Sequence, residues 1–220
     1  MRICHVSDTH GHIFQPNRFC NIVVHSGDML PDPPYFSSHL SAAIWQKDWL
    51  NNKAKDIKLN INKLPFIFVN GNHDYLSGEE IEEVLVSNKI KATCINDKLF
   101  SFEGLNFYGF PWVKHINGLF SYELSDNSMN IKCLELKDVL SNNYINVLVA
   151  HGPMKDGLSI EGSLEYGNEK LKDTIFSLQN QNIPDYMLVG HIHLAKGIKY
   201  INSINMLVVN SATTIHYLEV

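Results

Sequence analysis

The stretch "FIFVNGNHD", Phe66 to Asp74, begins as a strand that demands burial and ends in Asn72, His73 and Asp74, three side chains that resist it. A buried amide, imidazole or carboxylate costs free energy unless it finds a partner. Four more stretches follow the same plan: "RICHVSDTH" (2–10), "NIVVHSGDM" (21–29), "INVLVAHGP" (145–153) and "DYMLVGHIH" (185–193). Apolar runs rich in Val and Ile and bounded by Gly or Asp read as strands buried on both faces. In α/β sheets, functional groups gather in the loops beyond the carboxyl ends of such strands. The five ends supply Asp8 and His10, Asp28, Asn72 with His73 and Asp74, His151, and His191 with His193.

Between the strands lie amphipathic segments. From Ser37 to about Asp56, Leu40, Ile44 and Leu50 form the expected inward stripe, with Ser37 or Ser38 as cap. A second helix is predicted from Gly78 to Asn88, with glutamates in its first turn as the helix dipole favours. Two more are expected over Tyr166 to Gln181 and around Asn130 to Asn142. "KLFSFEGLNFYGFPW" (98–112) reads as a hairpin turning at Glu103 and Gly104. The end of the chain, from Gly197, alternates like two or three antiparallel strands. Strand-helix units mixed with hairpins predict two sheets with helices outside, a four-layer α/β/β/α sandwich. No repeat, low-complexity segment or linker interrupts it, so one domain over residues 1–220 is expected.

The composition narrows the function. Of 220 residues 45% are hydrophobic and 19% charged, the balance of an ordinary globular chain. A net charge of -5 and scattered lysines argue against a general nucleic-acid binder. Arg2 and Arg18 are the only arginines, so no arginine cluster can clamp phosphates. Cys4, Cys20, Cys94 and Cys133 form no C-x-x-C pair and read as reduced, buried thiols. No apolar stretch approaches the ~20 residues of a membrane span and no signal peptide is visible, so a cytoplasmic location is expected.

Several imidazoles and carboxylates held together repel or desolvate one another unless a cation sits among them. Nitrogen and oxygen donors without thiolate suit Mn, Fe, Zn or Ni. Seven donors exceed what one tetrahedral centre uses. They suit two divalent ions sharing a carboxylate, about 3.5–4 Å apart, the arrangement that serves phosphoryl chemistry. A lone D-x-H or GD is a weak signal, because turns and caps account for most of them. "GHIH" is stronger, since alternate residues of an extended segment share a side. His5 and His25, inside strands, read as hydrogen-bonded core. His12, His39, His115 and His216 read as surface.

D-x-H, GD, GNHD, a strand-end His and GHIH, in that order, resemble the calcineurin-like metallophosphoesterase superfamily. The motifs run from Asp8 to His193. "DTHG", "VVHSGDM", "YGFPW", "VAHGPM" and "VNSAT" are similar to a small branch of metallophosphoesterase-domain-containing proteins, whose animal members are brain-enriched phosphodiesterases. The resemblance implies that Asp8, His10, Asp28 and His193 hold one metal and Asp28, Asn72, His151 and His191 a second, with manganese the first choice. It implies that His73 stabilises the transition state or protonates the leaving oxygen and that Asp74 orients His73. Phe110 and Trp112 could wall a base, and Lys155 could meet a phosphate. The expected activity is hydrolysis of small nucleotide or cyclic nucleotide diesters by a metal-bridging hydroxide. A monoesterase, a nuclease or a non-catalytic scaffold of the same fold are the alternatives. "GDMLPDP", lacking the arginine of GD-x-x-D-R-G, argues against the protein phosphatases.

Overall fold

In the structure, a computed structural model that describes every residue except Arg18, Phe36 and Asn62, the five apolar runs are strands. The chain runs β1 (Arg2–Val6), β2 (Ile22–His25), α1 (His39–Ile61), β3 (Phe66–Phe68), α2 (Gly78–Ser87) and β4 (Ala92–Cys94). It continues through β5 (Leu99–Phe102), β6 (Leu105–Phe110), β7 (Val113–Lys114), β8 (Glu123–Leu124), α3 (Asp126–Asn142) and β9 (Val147–Ala150). The last part holds β10 (Ile160–Glu161), β11 (Leu164–Glu165), α4 (Glu169–Phe176), β12 (Tyr186–Val189), β13 (Gly197–Ile201), β14 (Met206–Asn210) and β15 (Ile215–Glu219).

Two large mixed sheets result, ordered β15-β1-β2-β3-β4 and β13-β14-β12-β9-β6-β5. β1 to β4 are parallel neighbours, as are β6, β9, β12 and β14. Both faces of the motif-bearing strands are apolar because each sheet lies between two layers. Phe66 and Phe68 pack outward with Leu50, Ile57, Ile81 and Leu85 of α1 and α2. Ile67 points the other way, into a core shared by the sheets with Ile22, Val24, Val147, Val149 and Leu188. Leu148, Met187 and Val189 meet Cys133, Leu136, Leu171 and Ile175 of α3 and α4. The fold is the α/β/β/α sandwich that the alternation predicts.

Three local expectations are corrected. Leu50 is buried as expected, but Leu40 and Ile44 are 70% and 56% exposed, and the rest of the buried stripe of α1 is Ala42, Gln46, Ala54, Ile57 and Ile61. The small alanines let the helix approach, and Gln46 takes a stripe position because its amide binds four backbone groups of neighbouring loops: the oxygens of Pro31 and His73 and the N–H groups of Tyr75 and Leu76. The helix expected over 166–181 is only eight residues long: the Asn168 side chain accepts the Leu171 N–H and fixes its start, and the chain caps its end at Ser177. Of the two or three antiparallel strands expected from Gly197, β13 and β14 do pair antiparallel, but the third, β15, crosses to the other sheet and pairs antiparallel with β1.

The hairpin turns where expected, with Glu103 and Gly104 both left-handed at φ 46° and 85°. All four cysteines are buried and free. Among the described residues no helix is long and apolar enough to cross a membrane. Arg18, half of the arginine complement, lies outside the described residues.

Candidate metal centre

The carboxyl ends of β1, β2 and β3 in one sheet meet those of β9 and β12 in the other, and the nine motif residues stand at this shared edge. Backbone bonds lay the loops against one another: the Asp8 N–H donates to Gly27 O at 2.9 Å and that of His10 to Asp28 O at 3.0 Å. Other bonds cross between the sheets. The His191 N–H reaches both Asp8 carboxylate oxygens at 3.0 Å, and His151 Nδ1 donates to Ser26 O at 2.8 Å. Asp8, His10, Asp28 and His191 all have left-handed backbone, with φ of 52°, 42°, 56° and 67°. Such conformations cost on the order of 1 kcal/mol or more each and persist only where the surroundings over-determine them. Gly190 is required by closeness: a Cβ there would fall on Ser7 Oγ and Asp8 Oδ2.

The donors converge. Single donor atoms of Asp8, His10 and His193 lie within 4.8 Å of one another, and so do those of Asp8, Asp28 and His151. His193 Nε2 stands 3.2 Å from Asp8 Oδ1. His151 Nε2 faces Asn72 Oδ1 at 2.9 Å and Asp28 Oδ2 at 3.3 Å. The His191 ring lies 5.0 Å from that of His151, which brings in the seventh donor. His25 braces the floor: it accepts the Gly27 N–H at 3.2 Å and meets Thr9 Oγ1 at 3.0 Å.

Charge follows from burial and pairing. Burial alone would raise the Asp8 and Asp28 carboxyls, but the neighbouring histidines, His193 and His151 foremost, hold both below the usual range. Burial opposes a charge on His151, yet Asp28 beside it raises that imidazole to about 9. Burial and His151 push His191 down to about 4. These residues fit a bound cation. With Nδ1 committed to Ser26, His151 Nε2 meets two oxygen acceptors, and one proton serves both poorly while a cation serves the nitrogen and both oxygens. His10 Nδ1 is buried with no hydrogen-bond partner among the described residues. The donor set is nitrogen and oxygen throughout.

His73 sits at the rim, its ring 5.0 Å from that of His10 and 4.7 Å from that of Phe120. Its Nδ1 pairs with Asp32 Oδ1 at 2.6 Å. The expectation that Asp74 orients His73 is therefore corrected. Asp74 turns away and accepts the N–H groups of Gly71 at 2.9 Å, Leu30 at 2.8 Å and Met29 at 3.3 Å. It ties the loops after β2 and β3 together, which holds Asp28 and Asn72 in place. Burial raises the Asp74 carboxyl to about 7, with the nearby Asp28 charge adding to the effect. Burial is the strongest single influence and opposes a charge on His73, but the bond to Asp32 and the charges of Asp28 and Asp32 together outweigh it, so His73 is raised.

Two of the three expected substrate contacts are also corrected. Phe110 is fully buried in the core beneath α3 and α4, because its strand position points to that layer. Lys155 Nζ is paired with Glu169 Oε1 at 2.8 Å on the surface. Trp112 does border the centre: with Lys114, Pro153, Tyr166 and His191 it lines a cleft of about 460 Å³. His12, His39 and His115 are exposed as expected, whereas His216 is half-buried and bonded to Ser211 Oγ at 2.9 Å. The sequence reading missed Asp32, four positions after Asp28 in "GDMLPDP". Its distance from the GD pair was the one available signal.

A family model described as calcineurin-like phosphoesterase matches residues 1–195. The chain belongs to the calcineurin-like phosphoesterase family. It is thereby placed among phosphoric ester hydrolases. One solved crystal structure superimposes at TM-score 0.70 with 12% identity over 99% of this chain and 94% of that chain. The protein TT1561 of Thermus thermophilus superimposes at TM-score 0.63 with 13% identity, over 96% of this chain and 88% of its own. A Staphylococcus aureus protein provisionally assigned as a 5′-nucleotidase, solved with α-ketoglutarate, matches at TM-score 0.51 and 17% identity over 98% of this chain but 50% of its own. At these identities the likeness is one of fold. No curated protein sequence matches the chain significantly.

Proposed function

We propose that the chain is a dinuclear-metal-dependent phosphodiesterase acting on small nucleotide or cyclic nucleotide diesters. The convergence of seven nitrogen and oxygen donors from both sheets, with His73 beside them, carries this reading. Asp8, His10, Asp28 and His193 would hold one divalent cation and Asp28, Asn72, His151 and His191 the other, with manganese the ion we assign. Bound there, two such ions supply an activated water and neutralise phosphoryl oxygens.

The chain's own contribution is at His73. Its Nδ1 is engaged by Asp32, so Nε2 is the nitrogen left to face a substrate. Asp32 favours the imidazolium, which can give its Nε2 proton to the departing alkoxide as a general acid. Phe120 against the ring limits its rotation. Gln46 and Asp74 fix the backbone on either side of His73 through Tyr75 and Gly71.

The scarcity of fixed cations favours a diester, which carries less charge than a monoester dianion. Arg2 is paired with Glu219 at the beginning of β1, and Lys155 is engaged by Glu169. The test compares bis-p-nitrophenyl phosphate with p-nitrophenyl phosphate, using manganese-loaded protein. Faster release from the diester is expected. Faster release from the monoester would overturn the diester assignment, and no release from either would overturn the enzymatic reading.

A further inference from the structure

The cleft beside the metal centre has walls from separate parts of the chain. One comes from β7 and its approach, with Trp112 and Lys114; the facing elements carry Pro153, Glu161 and Tyr166, and His191 and Ile192 close the inner end. Because His191 belongs to the donor set, the inner end of the cleft abuts the centre. At about 460 Å³ it lies within the ~300–1,000 Å³ range of sites for small organic ligands, far more room than a phosphoryl group needs.

The walls specify what fits. Trp112 is held in place: its Nε1 donates to both carboxylate oxygens of Asp97 at 3.0 Å. Lys132 also binds Asp97, at 3.1 Å, and lies over the indole at 5.3 Å. Tyr166 is 46% exposed and makes no ring contact or side-chain hydrogen bond among the described residues. Tyr122 packs against the indole as well, ring centroids 5.4 Å apart, so Trp112 is a fixed apolar wall, and the open phenol ring of Tyr166 near it favours a flat organic group. The formal charges of Lys114 and Glu161 oppose one another, and His115 is taken by Glu123 at 3.1 Å. No excess positive charge is left for a second anionic group, while both a donor and an acceptor remain.

We propose that this cleft seats one uncharged, heteroaromatic substituent of the phosphoester, of the nucleoside class, against Tyr166 and Trp112, with Lys114 and Glu161 available to its polar edges. The proposal rests on the phosphoesterase reading for its substrate, yet it concerns a surface that exists without metal.

The experiment is calorimetric titration of chelator-treated protein with adenosine and, separately, with inorganic pyrophosphate, each at millimolar concentration. Adenosine is expected to bind and pyrophosphate not to bind. Tyr166→Ala should weaken adenosine about 10-fold or more, the scale of one lost stacking partner, and Tyr166→Phe should restore it. Tyr166 is half-exposed, so these variants test the cleft without opening the core. Trp112→Phe, which loses the tether to Asp97, gives a second reading in the same direction. Pyrophosphate binding with adenosine silent, or adenosine binding indifferent to Tyr166→Ala, would overturn the proposal. Adenosine binding that depends on Tyr166, in a protein that hydrolyses no phosphoester with manganese, would support the cleft and overturn the activity proposed above.

Discussion

The edge where the sheets meet and the cleft beside it are neighbours built in opposite ways. At the edge, Asp8, Asp28, Asn72 and His151 are almost wholly buried, each positioned by strand ends and by bonds that cross between loops. Along the cleft, the walls stand on two-residue strands, and Lys114 and Tyr166 project with little around them. The contrast separates two tasks. Holding charge requires donors that cannot relax, because a misplaced buried carboxylate has no solvent to fall back on. Accepting an organic group requires a surface that can change without disturbing the fold.

Asp28→Asn tests the rigid side most severely. The variant keeps an oxygen for the His73 N–H, which Asp28 Oδ1 accepts at 2.8 Å, but it removes the charge facing His151. We expect divalent metal content to fall and hydrolysis of bis-p-nitrophenyl phosphate to drop by roughly 10³-fold or more. Elemental analysis beside the rate measurement checks both. Full metal content in this variant would show that the edge is less determined than its bonds indicate.

His73 stands at the rim of the donors beside His10 and Phe120, and its variants sharpen what the rigid side does. His73→Ala should retain both metals and lower turnover by roughly 10²–10⁴-fold, the range for a lost general acid. Asp32→Asn should cost less, about 10-fold, and should also move the pH profile. Asp32 raises His73, so the protonated, active form persists to higher pH in the native protein. Without that carboxylate the His73 pKa falls, and the decline in rate with rising pH begins earlier. A rate loss in Asp32→Asn with the profile unmoved would mean that Asp32 supports the loop and not the proton.

The same contrast explains what could be read from residues alone. Strands buried on both faces leave an unmistakable apolar run, and five such runs each ending in titratable residues are more than turns and caps alone account for. "FIFVNGNHD" and its four counterparts therefore disclosed the layers and the polar residues that gather at their shared edge. Contacts made at long range left no such mark. Asp32 pairs with His73 across 41 positions, and two prolines around it make the segment look like a plain turn. Asp74 was misread because adjacency in sequence suggested adjacency in space, whereas its carboxylate faces Gly71, Met29 and Leu30. In α1 Leu50 was read rightly and the first turns wrongly, since Ala42 and Gln46 are not hydrophobic enough to announce themselves against Leu40 and Ile44. Phe110 failed because a strand's alternation decides which layer a ring enters.

The smallest effect belongs to Lys155, and it bears on the comparison by being small. Its ammonium is engaged by Glu169 with both side chains largely in water, and such pairs contribute little. Neither residue borders the cleft or the donors. Lys155→Ala should leave KM for a nucleotide diester within about twofold of the native value, an expectation that follows from the weakness of exposed ion pairs. A loss of 10-fold or more in kcat/KM, with metal content intact, would mean that Lys155 leaves Glu169 and reaches the substrate. The cleft would then gain a cation, its charges would no longer cancel, and an anionic second group would become the better occupant.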